Sequence, residues 1–327
     1  MKKVSKINSN RLKGIRVVDL FAGIGGFHLA FAKYGAKVVY ASEWDKKASS
    51  IYYDNFKLKP DGDITKIEAS SIPEHDVLCA GFPCQPFSIS GNRLGFEDSR
   101  GTLFFDFVRI VKEKQPRLVF MENVRNFESH DNGHTLDVVK RTMEELGYTF
   151  FSKVLDASDY GVPQSRKRIY MLAFRNSLNI SNFDFPKAIP LKKRVIDLLI
   201  SDELTNKYVI QRNDVTMKDL KEYRSKKPLR LGTINKGGQG ERIYSTLGTA
   251  ITLSAYGGGV GSKTGIYMVN GRMRKLAPRE CARLTGFPDT YKIAINDNDA
   301  YKQFGNSVVV DVLQYIIEEI IKKGGVF

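Results

Sequence analysis

Along the first half of the chain, short apolar runs alternate with amphipathic stretches at a spacing that predicts βαβ units and a mostly parallel sheet. Residues 15–21 are apolar and β-branched, and helical periodicity follows through about residue 34. Residues 37–42 read as a second strand and 46–55 as the next helix. Residues 77–80 and 118–121 are further buried runs, with a helical stretch over 103–114 between them. Residues 135–146 have helical spacing, and 151–155 with 168–174 resemble a closing pair of strands.

The pattern changes after about Pro190. Ten glycines fall within the 34 residues 232–265, a density that on its own resembles a flexible linker. Ile243, Tyr244, Ile251, Leu253, Tyr256, Ile266 and Tyr267 interleave with them, which favours an irregular β-rich domain carrying functional loops. Residues 306–323 then place Val309, Val312, Leu313, Ile316, Ile317 and Ile320 at helical spacing. This predicts one closing helix that packs back onto the first domain, with the small domain inserted before it.

A chain of 327 residues exceeds the usual single-core limit, consistent with one large and one smaller domain. No apolar run approaches the ~18 residues of a membrane span, and residues 1–14 are polar and basic, without the apolar stretch of a signal peptide. Three cysteines, Cys79, Cys84 and Cys281, are too few and too odd in number for a disulfide framework, so a reducing, cytoplasmic setting is expected. The net charge of +15 is uneven: residues 191–283 hold 19 Lys and Arg against 8 Asp and Glu. A solvated basic face is one reading, and the concentration favours the other, a polyanion such as nucleic acid.

Candidate chemistry gathers at strand ends. Cys84 follows the buried run 77–80 in the sequence Phe82-Pro83-Cys84-Gln85-Pro86, where a strand gives way to a loop. Glu122 ends the run 118–121, and Gly23-Ile24-Gly25-Gly26 follows the first strand and opens a helix. That glycine spacing departs from the dinucleotide fingerprint. Glu43, about twenty residues on, is placed to accept ribose hydroxyls, and Trp44 offers a flat face to adenine. The turn therefore reads either as a tight turn beside a surface glutamate or as an adenosine site without a pyrophosphate. Arg166 and Arg168 alternate in strand fashion and point to one side, toward the thiol or a phosphate, or else form an exposed basic edge. None of His28, His75, His130 and His134 forms a pairing motif with Cys84, which disfavours a cysteine protease. His130 and His134 enclose a turn-forming Asp131-Asn132-Gly133, so no metal site is expected.

Taken together, these residues resemble the DNA (cytosine-5)-methyltransferases over essentially the whole chain. The matching blocks are DLFAGIGGF (19–27), EWD (43–45), GFPCQPFSISG (81–91), EDSRGTLF (97–104), ENV (122–124), QSRKRIY (164–170), RECARLTGFP (279–288) and QFGNSV (303–308). Pro86 and Leu247 depart from the pattern, away from the chemistry. The resemblance implies an α/β class, a Rossmann-like S-adenosylmethionine-dependent methyltransferase domain over 1–195 and 304–327. It also implies a target-recognition domain over 196–277 and a hinge over 278–303. It makes Cys84 the nucleophile that adds to cytosine C6, Glu122 the group bonded to N3 and the exocyclic amine, and Arg166 and Arg168 the holders of O2 and of Glu122. S-adenosylmethionine would be held by Phe21, Ala22, Gly23, Gly25, Glu43, Trp44, Asp63, Ile64, Pro83, Leu103, Asn306 and Val308. Ser90 and Gln239 would fill the gap left by a flipped base, and Arg242, Thr252, Tyr256 and Gly259 would contact DNA.

The segments 236–245 and 251–259 resemble the recognition segments of members that methylate the inner cytosine of duplex GCGC. The implied setting is a bacterial cytoplasm, on the nucleoid through DNA binding. The protein would be a monomer with no metal and no membrane, paired in function but not in a stable complex with a restriction endonuclease. Two rivals remain: a tRNA cytosine-5 methyltransferase, which would lack the glycine-rich recognition segment, and a catalytically inactive DNA-binding protein, against which the joint presence of Cys84, Glu122, Arg166 and Arg168 argues. An adenine N6-methyltransferase would need an acidic loop where Pro83-Cys84-Gln85 stands.

Overall fold

The apolar run after Ile15 forms strand β1 (Arg16–Leu20), with its last four residues buried. A six-stranded sheet contains β1 with β2 (Lys37–Ser42), β3 (Val77–Ala80), β4 (Leu118–Val124), β5 (Tyr148–Asp156) and β6 (Lys167–Arg175), in the order β2-β1-β3-β4-β6-β5. β1 to β4 are parallel, and β6 runs antiparallel to β4. The helices of this part are α1 (Gly26–Ala32), α2 (Lys46–Phe56), α3 (Leu103–Lys114) and α4 (His134–Glu145). The computed structural model describes residues 10–83 and 103–327; Cys84 and Ser90 lie outside them.

Both faces of the sheet are covered, which is why its strands read as continuous apolar runs. Val119 and Met121 of β4 join Leu78 and Ala80 of β3 in a core with Phe104, Phe107, Ile110 and Val111 of α3. Phe120, pointing the other way, meets Phe27 of α1 edge-on at 5.2 Å. From β1 the chain moves one way to β2 and then back past β1 to β3. The switch point therefore falls between the carboxyl ends of β1 and β3, where open α/β sheets bind ligands.

The chain divides into two compact units, residues 1–155 with 168–186 and 313–327, and residues 156–167 with 187–312. These boundaries differ from the split expected at 195/196, 277/278 and 303/304. The second unit holds a five-stranded sheet of β7 (Val215–Met217), β8 (Arg230–Ile234), β9 (Arg242–Ser245), β10 (Ile266–Val269) and β11 (Arg272–Arg274), in the order β11-β10-β9-β8-β7. Leu231, Ile234, Ile243 and Ile266 form its core. Residues 278–303, expected as a hinge, contain α5 (Pro278–Leu284) and most of α6 (Asp297–Asn306). They are tied in by a fully buried pair: Arg274 donates to both oxygens of Glu280 at 2.8 and 2.7 Å. Glu280 also accepts the backbone N–H groups of Ala277 and Ile200, as a buried ion pair requires.

The single helix expected over 306–323 is two elements. α6 ends at Asn306, and α7 (Val310–Lys323) starts after an extended break. The carbonyls of Gly305 and Ser307 accept Arg166 instead of continuing a helical ladder, and three consecutive β-branched valines follow. From Leu313 on, α7 belongs to the first unit, within which Lys33 donates to Gln314 at 2.6 Å and Tyr34 donates to Glu318 at 2.8 Å. Among the described residues, no helix is long and apolar enough to cross a membrane.

Candidate active site

The turn after β1 needs left-handed backbone at Phe21, Gly23 and Gly25, with φ of 53°, 55° and 81°. At Gly25 no side chain fits, because a Cβ would lie 2.2 Å from the Phe56 ring. At Gly23 a Cβ would meet nothing within 4 Å, so space is open above the turn. Glu43 ties this turn to the end of β2: its Oε2 accepts the Gly23 N–H at 2.7 Å and its Oε1 accepts the Asp45 N–H at 2.8 Å. Ala22 N–H donates to the Ser42 carbonyl. Beside Glu43, Trp44 is 79% exposed, an unusual position for the chain's one tryptophan. Asp63 accepts from the hydroxyl and N–H of Thr65, which hold its carboxyl below the ordinary range, and Ile64 is buried beside it. Pro83, three residues beyond β3, is exposed, and Leu103 opens α3 half-buried.

Beneath the turn, the His28 ring stacks on Phe56 at 3.8 Å, and its Nδ1 lies 2.7 Å from the Tyr52 hydroxyl. Burial lowers the His28 pKa from 6.5 to about 4. A base depressed in the folded state supports the fold fully above pH 6.5 and loses that support as pH falls through 4. The loss is about 3 kcal/mol at most. His28→Gln is expected to flatten this part of the stability curve, as measured by urea midpoints at pH 7, 5 and 4.

Two of the three cysteines are unsuited to nucleophilic work. Cys79, paired in register with Asp19, and Cys281 are both fully buried, and burial pushes both thiols up. Cys84 is the remaining thiol.

Glu122 and Arg168 are brought together. In the β4–β6 register Val124 faces Arg168, so Glu122, two residues back, is its diagonal neighbour on one face. Arg168 Nε lies 3.2 Å from Glu122 Oε1, and both side chains are largely buried. Asn123, which sequence reasoning missed, turns to the other side and donates to the Phe82 carbonyl at 3.0 Å, clamping the backbone two residues before Cys84. The available signal was an amide beside Glu122 in an otherwise apolar strand.

Arg166 does not follow the alternation expected of it. β6 begins only at Lys167, and Arg166 belongs to the second unit. It is 2% exposed, and its guanidinium donates to the carbonyls of Leu253 at 3.0 Å, Gly305 at 2.9 Å and Ser307 at 2.7 Å. The last two flank Asn306, which is exposed, while Val308 is buried. Gln164, also buried, bonds Leu253 N–H and the Leu284 carbonyl, so the second unit's loops are held by side chains from 164–166.

The glycine-rich segment is ordered around close backbone contacts. Gly240 accepts the Gly261 N–H at 2.8 Å, and a Cβ on Gly240 would sit 2.2 Å from the Gly258 oxygen. Gln239 and Tyr256 are exposed, Arg242 is half-buried, and Gly259 has φ 87°. The Thr252 hydroxyl donates to the Ser165 carbonyl at 2.6 Å. Among the described residues, no cluster of three or more His, Cys, Asp or Glu could hold a metal ion.

Residues 15–322 match the family model described as C-5 cytosine-specific DNA methylase. The chain belongs to that family. It is an enzyme, a DNA (cytosine-5)-methyltransferase with S-adenosylmethionine as methyl donor. It is 60% identical over 316 residues to the type II methyltransferase M.HhaI of Haemophilus parahaemolyticus, covering 96% of this chain and 97% of that one. It is 43% identical to the type II methyltransferase M.SsoII of Shigella sonnei, covering 94% and 80%. Its fold is similar to that of the S. pombe Dnmt2 methyltransferase crystal structure, with TM-score 0.73 at 22% identity, covering 94% of this chain and 99% of that one. The methylase thus joins a Rossmann-like sheet to a second β-rich sheet.

Proposed function

We propose that the enzyme methylates the inner cytosine of duplex GCGC as the modification half of a bacterial type II restriction–modification system. It acts as a cytoplasmic monomer that forms no stable complex with the endonuclease. The target assignment rests on the likeness of segments 236–245 and 251–259 to GCGC-specific recognition segments, together with the 60% identity to M.HhaI.

The residues at the carboxyl ends of β1 to β3 suit the methyl donor. Glu43, which accepts two backbone N–H groups, is placed to take ribose hydroxyls, Trp44 offers an exposed aromatic face, and the space over Gly23 is open to a ligand. By the family resemblance, Phe21, Ala22, Gly25, Asp63, Ile64, Pro83, Leu103, Asn306 and Val308 complete this set. When bound, S-adenosylmethionine supplies an electrophilic methyl group on a sulfonium.

Cytosine C5 is a poor nucleophile, and the base is unreachable while stacked, so it is flipped out of the duplex. Ser90 and Gln239 fill the space it leaves, and Arg242, Thr252, Tyr256 and Gly259 contact the flanking DNA. The Cys84 thiolate adds at C6, which makes C5 enamine-like. Glu122 binds N3 and the exocyclic amine, and Arg168 orients Glu122 and the O2 edge. After C5 is methylated, its proton passes to a base, the thiolate departs and the ring regains aromaticity. Arg166 acts one step back, by holding the backbone around Asn306 and Leu253. The observation that carries the nucleophile assignment is the deep burial of the other two thiols.

Duplex with 5-fluorocytosine at the inner position of GCGC, mixed with enzyme and S-adenosylmethionine, is expected to give a complex that survives denaturant. Cys84→Ser is expected to trap none. Equal trapping by that variant places the nucleophile elsewhere. Bisulfite sequencing of plasmid from expressing cells is expected to show methylation confined to GCGC; methylation at every CG rejects the target, and transfer to tRNA alone rejects the substrate.

A further inference from the structure

The hairpin that carries Gln239 and leads into Arg242 is closed by a chain of polar contacts whose central member is Asn235. Arg212 grips Asp214 through two bonds of 2.7 Å, just before β7. Asp214 Oδ2 accepts the Asn235 N–H at 3.0 Å, just after β8. The Asn235 side-chain amide donates to Glu241 Oε1 at 2.7 Å, and Glu241 Oε2 accepts the Gly238 N–H at 2.8 Å. Both carboxylate oxygens of Glu241 are thus used to close the turn 235–241, with Gln239 exposed at its tip. Asn235 itself stands at φ 47°, a left-handed conformation that asparagine tolerates better than most residues.

We infer that Asn235 is a positioning residue for target recognition. Its clamp on Glu241 presets the turn so that Gln239 and Arg242 meet the duplex already in place. This rests on the proposed reading that Gln239 and Arg242 contact DNA. The bonds lie at an exposed surface, where water competes with them. Docking on DNA excludes that water and strengthens them, and a turn ordered beforehand loses less freedom on binding.

The test uses the full-length enzyme and steady-state methylation of GCGC duplex and of duplexes with one base pair changed. Asn235→Gly keeps the left-handed conformation accessible and removes only the clamp. It is expected to raise the DNA KM and to narrow discrimination against the altered sites by about tenfold, as lost preorganisation predicts. The KM for S-adenosylmethionine and the melting temperature should stay near wild type. Asn235→Asp sets a carboxylate against Glu241 and is expected to do worse. Adding Glu241→Gln to it is expected to restore discrimination, because the glutamine amide can donate to Asp while its carbonyl keeps the Gly238 N–H. If Asn235→Gly discriminates as wild type does, or if the paired exchange fails to restore what Asn235→Asp loses, the inference is overturned. Arg242→Ala separates the two levels: a variant with unaltered DNA KM and discrimination removes the underlying reading, whereas an impaired one beside a normal Asn235→Gly removes the positioning role alone.

Discussion

Glu122→Gln is expected to slow methyl transfer to duplex DNA by about 10²–10⁴-fold, the range of a removed acid–base or charge-stabilising group. Glutamine fills the same volume at the end of β4 but carries no charge. In the proposed role it could still meet one donor of the cytosine edge, yet would no longer stabilise positive character developing at N3. It also leaves the Arg168 guanidinium, 3.2 Å away and largely buried, without its anion. A disturbed partner would weaken the fold as well as the chemistry, because breaking one half of a buried pair leaves an uncompensated charge. Single-turnover transfer of tritiated methyl, set beside a melting curve and DNA affinity, separates these effects. The expected result is a large fall in rate, with affinity changed by only a few-fold. Arg168→Lys should fall in the same direction, because a lysine has the charge without the planar fork that matches a carboxylate. A Glu122→Gln enzyme with the wild-type rate would remove Glu122 from the chemistry.

The large sheet was legible because its central strands, β1, β3, β4 and β6, are buried on both faces. Residues 37–42, 77–80 and 103–114 coincide with β2, β3 and α3 residue for residue. The extra length of β4, which runs through Glu122 to Val124, was not legible. Polar residues at a strand end look like loop until their partners are known, and here the partners are Arg168, distant in sequence, and the Phe82 carbonyl. The break between α6 and α7 was hidden for a similar reason. Helical spacing of apolar residues continues across it, while the bonds that interrupt the helix come from Arg166, about 140 residues earlier in the chain. That side chain also shows the limit of alternation as a guide: it applies inside a strand, and Arg166 stands one residue before β6 begins. The proposed catalytic residues were read as a set of residue types at strand ends, and the structure brings two of them, Glu122 and Arg168, together. Asn123, Gln164 and Asn235 act instead through individual side-chain hydrogen bonds, with Phe82, with Leu253 and Leu284, and with Glu241, that leave no periodic trace.

Affinity for duplex DNA is expected to fall by about 10³–10⁵ between 50 and 200 mM salt if six to ten phosphates are neutralised. The second unit supplies most of the charge, with 19 Lys and Arg against 8 Asp and Glu over residues 191–283. Not all of that charge is available to DNA. Lys207, Arg212, Arg224, Arg272, Arg274 and Arg283 each lie in an ion pair with a carboxylate, and the Arg274 pair is sealed from solvent. Exposed pairs are worth little and can exchange a carboxylate for a phosphate, whereas the buried one cannot. Lys218, Lys221, Lys226, Lys227 and Lys236 are exposed, and all five lie beside strands β7 and β8 in the sequence. A lysine that meets a phosphate should behave differently from an arginine that reads a base. Lys236→Ala is expected to weaken binding equally at GCGC and at unrelated sequence, and to reduce the salt slope by about 1. Arg242→Ala is expected to cost about 1–3 kcal/mol at GCGC alone, the value of a bidentate contact to guanine O6 and N7. Equilibrium titrations in increasing KCl, on cognate and unrelated duplexes, distinguish the two patterns. A flat salt dependence would show that the basic excess serves something other than DNA, because neutralised phosphates must release their counterions.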